Sequence, residues 1–395
     1  MHSAGWNTTP KARIGPEVRV FFNTIRASRL GVEPGRMALA EEIAGTQRVS
    51  LKLSAQAERY ARRDAPVEAR EMAARGALPL EPVELTTVLF VLAHDPEPTV
   101  KETARRSLEE LPDGVLTTVL SGKTHPALLS YLAHLHAENE AYCESVALNA
   151  AADDSTIAWL ATLPHSRVVD IVSQNQERML RSEEIVDALG TNPLTGRAVI
   201  ERILGFLGIE QREADGEEAP LDGAEAEAAV LALLGEDMED IAKILAQETQ
   251  DDLQDSKLEG NLYAAVQKMS VLQKVKLARA GGKEARALLV KDRNRIVAAS
   301  VLGSPKLTET ELIVFAQNRS IAEELLRVIA ANRDWTKSYR IKLALVTNPK
   351  TPQPQAVHFI HHLQDRDLRA LMKSKDVSTQ VSAQARRILT KKGKL

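Results

Sequence analysis

The hexapeptides Asp292-Arg293-Asn294-Arg295-Ile296-Val297, Asp334-Trp335-Thr336-Lys337-Ser338-Tyr339 and Asp376-Val377-Ser378-Thr379-Gln380-Val381 share one pattern. In each, an acid closes an apolar run, a small polar residue follows two places on, and an apolar residue sits five places on. Successive copies start 42 residues apart, at 292, 334 and 376. Asn, Thr and Ser carry side-chain oxygens that accept from the free N–H groups at a helix start. A second landmark falls between them: Ser304-Pro305-Lys306-Leu307-Thr308 and Asn348-Pro349-Lys350-Thr351, whose prolines lie 44 residues apart. One unit is therefore expected to hold two helices, one begun by the cap and one begun just after the proline. A period of about 40 residues with two helices each predicts an all-α fold of antiparallel helix pairs stacked as an α-solenoid.

Further toward the N-terminus the same signals recur. Pro82 to Ala93 reads as a helix with Leu85, Val88, Leu89 and Leu92 on its apolar side. His94-Asp95-Pro96-Glu97-Pro98-Thr99-Val100 follows as a turn, with Val100 again five places after the acid. Lys101 to Leu111 then keeps Ala104, Leu108 and Leu111 on one side. This Asp turn, followed by Ala and Leu at helical spacing, resembles the HEAT repeat family, which implies a HEAT-like solenoid. Asn192-Pro193-Leu194-Thr195 matches Asn348-Pro349-Lys350-Thr351 in three of four positions, so one inter-helix corner is expected at both places. Asn348 to Pro352, followed by the Asp367 to Leu371 helix, is also similar to a family of uncharacterised bacterial helical-repeat proteins. That likeness covers about the last hundred residues and implies a fold rather than an activity.

Composition agrees with helix-on-helix packing. Hydrophobic residues make up 44% of the 395 but aromatics only 4%, so small and aliphatic side chains supply the core. Val18 to Ile25 is expected to be a short helix, and Ala55 to Arg75 to have little to bury, so residues 1–75 read as a partly ordered N-terminal segment. Residues 76–208 read as an N-terminal helical-repeat lobe, 209–256 as an acidic linker with amphipathic helices, and 257–395 as a basic C-terminal lobe. The formal charge of −3 hides this polarity: residues 209–256 carry −14 and residues 257–395 carry +16. Opposite charges on two neighbouring segments suggest that the acidic one masks the basic one. No apolar run reaches the ~18 residues of a membrane span, and the polar start lacks a secretory signal. A lone cysteine, Cys143, fits a reducing compartment and a packing role. A cytoplasmic protein is the expectation.

No residue set proposes a reaction. His358 and His362 stand four apart, as zinc ligands can, but no Glu lies between them in the HExxH manner. His134 and His136 fall on different sides of a helix. Ala280-Gly281-Gly282-Lys283 is too short for a phosphate loop. Asp95, Asp292, Asp334 and Asp376, with Asn192 and Asn348, are read as turn residues whose side chains bind backbone N–H groups. The strongest functional pointer is basic: Lys274, Lys276, Arg279, Lys283, Arg286, Lys291, Arg293 and Arg295 form one group, and Arg386 and Arg387 lead a second that includes Lys391 and Lys392. With Trp335 nearby, they make a candidate partner or anion surface. The expected function is a non-catalytic scaffold or adaptor that holds a protein partner in a concave face, with no cofactor and no metal. The alternative is a nucleic-acid-binding solenoid, and behind it an alkylated-base excision enzyme using Asp334 and Trp335.

Overall fold

The computed structural model describes residues 17–23, 46–207, 223–234, 239–246, 256–374 and 376–394. Residues 209–222, 235–238 and 247–255 of the acidic middle segment lie outside them, and the masking expected of that segment lies outside the described residues with them. Among the described residues the chain is all-α apart from one two-stranded antiparallel sheet, β1 (Glu17–Asn23) with β2 (Thr46–Lys52). A short helix was expected over Val18 to Ile25; its described part, residues 18–23, lies in the strand β1 instead. Val18, Val20, Phe21 and Phe22 are β-branched or aromatic, and such residues lose rotamer freedom in a helix. Contacts divide the chain into two compact units, residues 1–174 and 175–395.

The first unit continues with α1 (Ala55–Ala61), α2 (Val67–Ala74), α3 (Pro82–Leu92), α4 (Pro98–Glu109), α5 (Asp113–Ser121), α6 (Pro126–Leu135), α7 (Glu140–Leu148), α8 (Asp154–Leu160) and α9 (Ser166–Gln174). Proline at the first turn starts α3, α4 and α6, where its missing N–H costs nothing. Six pairs of helices pack next but one: α1 on α3, α3 on α5, α5 on α7, α7 on α9, α2 on α4 and α6 on α8. In α4, Val100, Ala104 and Leu108 are buried at four-residue spacing, the stripe such packing requires. Helices α1 and α2, where little burial was expected, do pack. They bury Ala57, Ala61, Ala73 and Ala74, and α2 adds an ion pair from Arg70 to Asp95. Small side chains let the backbones approach, so large apolar residues are not needed there.

The second unit holds α10 (Gln176–Arg181), α11 (Glu183–Thr191), α12 (Arg197–Phe206), α13 (Gly223–Leu234), α14 (Glu239–Ala246), α15 (Ser256–Lys268), α16 (Val271–Ala280), α17 (Lys283–Leu289), α18 (Arg295–Leu302), α19 (Glu309–Gln317), α20 (Glu323–Ala331), a 3-10 turn (Trp335–Lys337), α21 (Tyr339–Thr347), α22 (Gln353–Ile360), α23 (Asp365–Lys373) and α24 (Thr379–Lys391). Helices α10 to α12 were expected in the N-terminal lobe. Instead α11 packs on α16 and α18, and α12 packs on α18. Asn294 Nδ2 donates to Asp187 at 3.2 Å, and Arg295 donates to the Pro193 carbonyl at 3.1 Å, fastening residues about a hundred positions apart.

The 42-residue interval also holds three helices, not two. Between Asp292 and Asp334 lie α18, α19 and α20; between Asp334 and Asp376 lie α21, α22 and α23. Each has only 8 or 9 residues, so three of them and their turns fit. The helices that follow the three acids pack on different neighbours: α18 on α16 and α20, α21 on α19 and α22, and α24 on α22 and α23.

Candidate functional site

The acid turns divide by environment. Asp292 is 8% exposed at its side chain; it accepts from the Asn294 N–H at 2.8 Å and from Lys274 Nζ at 2.9 Å. Asp95 does the same with the Glu97 N–H, at 2.9 Å, and with Arg70. In both, one carboxylate closes the turn and neutralises a cation from an earlier helix. Asp334 does neither. Its side chain is 80% exposed and bonded to Lys337 at 2.7 Å, which holds its carboxyl below the usual range. The turn is closed by Asn332, whose Oδ1 accepts from the Asp334 and Trp335 N–H groups. Asp376 is exposed too and faces Arg319 at 3.2 Å, leaving Ser378 to cap α24.

Asparagine corners are more uniform. Asn192 and Asn348 are buried; each Oδ1 accepts an N–H two residues on, at 2.9 and 3.0 Å. Asn348 Nδ2 donates to the carbonyls of Ala316 and Asn318 at the end of α19, at 2.8 and 3.1 Å. Asn149 repeats this in the first unit, donating to Leu120 and Gly122 at 2.6 and 2.9 Å. Asn149 and Asn348 thus each tie the ends of two helices that pack on each other.

The basic group of residues 274–295 is not one surface. Arg286 has no exposed side-chain area; it makes two bonds to Glu311, at 2.8 and 3.2 Å, and a third to the Gly281 carbonyl. Burial pushes the Glu311 carboxyl up, but the bonds from Arg286 and from Thr308 outweigh it and hold it below its ordinary value. Lys274 is committed to Asp292. Arg295, 15% exposed, pairs with Glu324 at 2.7 Å. These three were expected to face a partner, and the cost of burying a lone cation explains why each has a fixed acceptor instead. Lys276, Lys291 and Arg293 are exposed, Arg279 and Lys283 half-buried, and Trp335 is half-buried on its short turn. Arg386 and Arg387 are exposed on α24.

Arg295 instead builds a cleft. Its guanidinium reaches the Pro193 carbonyl before α12 and Glu324 on α20, holding both against α18. The space between, about 60 Å³, has a floor of Ile200, Leu204, Ala298, Ala299, Leu325 and Val328. Arg197 and Glu201, joined at 2.5 Å, and Arg293 stand at its edge. Arg295 Nε is buried in its wall with no acceptor among the described residues. Sequence reasoning found Arg293 and Arg295 but not Arg197, Glu201 or Glu324. The helices meet only after the chain returns across about a hundred residues, and no local pattern records that.

His134 is half-buried, whereas His358 and His362 are exposed. His134 stacks on Trp159, ring centroids 3.7 Å apart, and its Nδ1 lies 2.7 Å from the Ser130 carbonyl oxygen. His358 meets His362 edge to face at 5.7 Å. Among the described residues no group of three or more His, Cys, Asp or Glu is placed to hold a metal ion. Cys143 is buried, and burial with Glu140 nearby pushes its thiol up to about 11, far from a nucleophile at neutral pH. No described helix is long and apolar enough to cross a membrane. Comparison of the chain with protein-family models, curated proteins and solved structures finds no match.

Proposed function

We propose that the chain is a non-catalytic scaffold or adaptor, built of HEAT-like helix pairs stacked as a solenoid, that grips a protein partner in the α12–α18–α20 cleft. Next-but-one packing in each unit supports the solenoid, because stacking of that kind buries a continuous core between neighbours. The observation that carries the binding reading is the cleft itself. An aliphatic floor, a buried N–H at Arg295 Nε lacking an acceptor, and the exposed cation Arg293 suit an apolar anchor residue followed by an acidic one. Membership of the HEAT family, and residence in the cytoplasm, belong to the same proposal. The base-excision alternative finds no support at Asp334, whose exposed carboxylate is bonded to Lys337 rather than set in an aromatic cleft.

The test places a photo-crosslinking residue at Ala299 of the full chain and compares it with Val328→Glu and Arg293→Glu. A protein crosslinked at Ala299 and lost at least ten-fold in both variants supports the reading. A partner retained by both, or no crosslink at Ala299, overturns it.

A further inference from the structure

A second surface lies on the last two helices, none of whose residues line the cleft. Helix α24 packs on α23, and three bonds set their register. Arg369 donates to the Lys394 carbonyl at 3.4 Å, Lys392 donates to Asp365 at 2.8 Å, and Lys394 also reaches Asp365. The C-terminal end of α24 therefore sits against the N-terminal half of α23. Cations far apart in sequence are gathered there: Arg366 and Arg369 from α23, Lys391, Lys392 and Lys394 from α24 and its end. Asp365 offsets one charge, and its carboxyl is held down at about 2 by Lys392 and Lys394. Asp367 is bonded to Tyr339. Lys373 extends the cationic row along α23, and Arg386 and Arg387 extend it along α24.

Unlike Lys274 and Arg286, Lys373, Arg386, Arg387 and Lys391 are exposed and make no ion pair among the described residues. Their neighbours Val381, Ala385 and Leu389 are buried, so α24 turns its apolar stripe inward and its cations outward. We propose that this α23–α24 face binds the phosphate backbone of duplex DNA without reading sequence. The chemistry decides between polyanions. Neither helix carries an aromatic side chain on which unpaired bases could stack, which disfavours single strands. No large apolar side chain of either helix is exposed, so nothing is available to enter a lipid bilayer. Two cationic rows on helices roughly 10 Å apart can meet a duplex, which presents a charge about every 1.7 Å along its axis. Helix α24, with 13 residues, extends about 20 Å along it.

The experiment uses the full chain and a fluorescein-labelled duplex DNA of about 30 base pairs, titrated by anisotropy at several KCl concentrations. Affinity should fall linearly on a log–log plot, with a slope of several phosphates. The double variant Arg387→Glu, Lys391→Glu should bind roughly ten-fold or more weakly and lower that slope by about two. Lys276→Glu, Lys291→Glu should leave both nearly unchanged, and matched circular dichroism melts of all variants show that folding is intact. Equal loss in the two double variants would mean diffuse attraction and overturn the proposal. So would tighter binding to phosphatidylserine vesicles or to single-stranded DNA than to the duplex. Because Arg293 and Val328 take no part, failure here leaves the cleft reading standing, and the reverse holds.

Discussion

His134 shows how a single side chain couples the first unit to pH. Burial lowers its affinity for a proton, against the Ser130 carbonyl and Asp153, which raise it. His125 and His136 are lowered for the same first reason. A histidine lowered in the folded state binds fewer protons than in the unfolded chain, so its contribution is present above the ordinary value of 6.5 and is lost as pH falls through the lowered one. The urea midpoint of the first unit, followed by Trp159 fluorescence, is expected to drop between pH 7 and pH 5. His134→Phe keeps a ring on Trp159 and should flatten that dependence, with His125 and His136 supplying what remains. A pH profile unchanged in the variant would remove His134 from the account.

Among elements, the acid turns show why equal sequence signals have unequal weight. Asp292 links α16 to the α17–α18 turn through Lys274, both side chains being about nine-tenths buried. Asp292→Ala strands a buried ammonium and opens the turn, which should cost roughly 3–5 kcal/mol in urea unfolding. Asp334→Ala removes only an exposed pair and should leave the midpoint where it was. Similar losses in both would refute the division. The helical character of the chain was legible because caps, prolines and four-residue stripes are local: Pro82 starts α3, Ala104 and Leu108 line α4, which begins at Pro98 inside the expected turn, and Ser378 caps α24. The helix count per interval was not, since a run of 8 residues gives barely two turns of periodicity. Asn192 and Asn348 were visible through the following proline. Asn149 makes the same corner before Ala150, and nothing in its neighbours announces it. Charge was read correctly as composition and wrongly as surface, because Arg286 and Glu311 are 25 residues apart and only folding joins them.

For the whole molecule, composition and packing place the divide differently, and fragments can decide between them. The charge shift suggests cutting after residue 208, whereas contacts divide the chain between 174 and 175. The physical reason lies on α16 and α18. Their outer faces are covered by α11 and α12, which bury Ile185, Leu189, Ile203 and Leu204, and each such side chain contributes roughly 1.5–3 kcal/mol when removed from water. The same cut removes the Pro193 carbonyl from Arg295, leaving it with Glu324, and takes Asp187 from the Asn294 amide. A fragment of residues 175–395 is therefore expected to melt in one cooperative transition. A fragment of residues 209–395 should melt far lower or without a transition, and should bind hydrophobic dye because the α16 and α18 faces are bare. Circular dichroism melts of the two, at equal concentration, read the difference directly. If the shorter fragment melted within a few degrees of the longer one, α11 and α12 would be appendages rather than part of the second unit's core, and the Arg295 clamp that shapes the cleft would have to be given up with them.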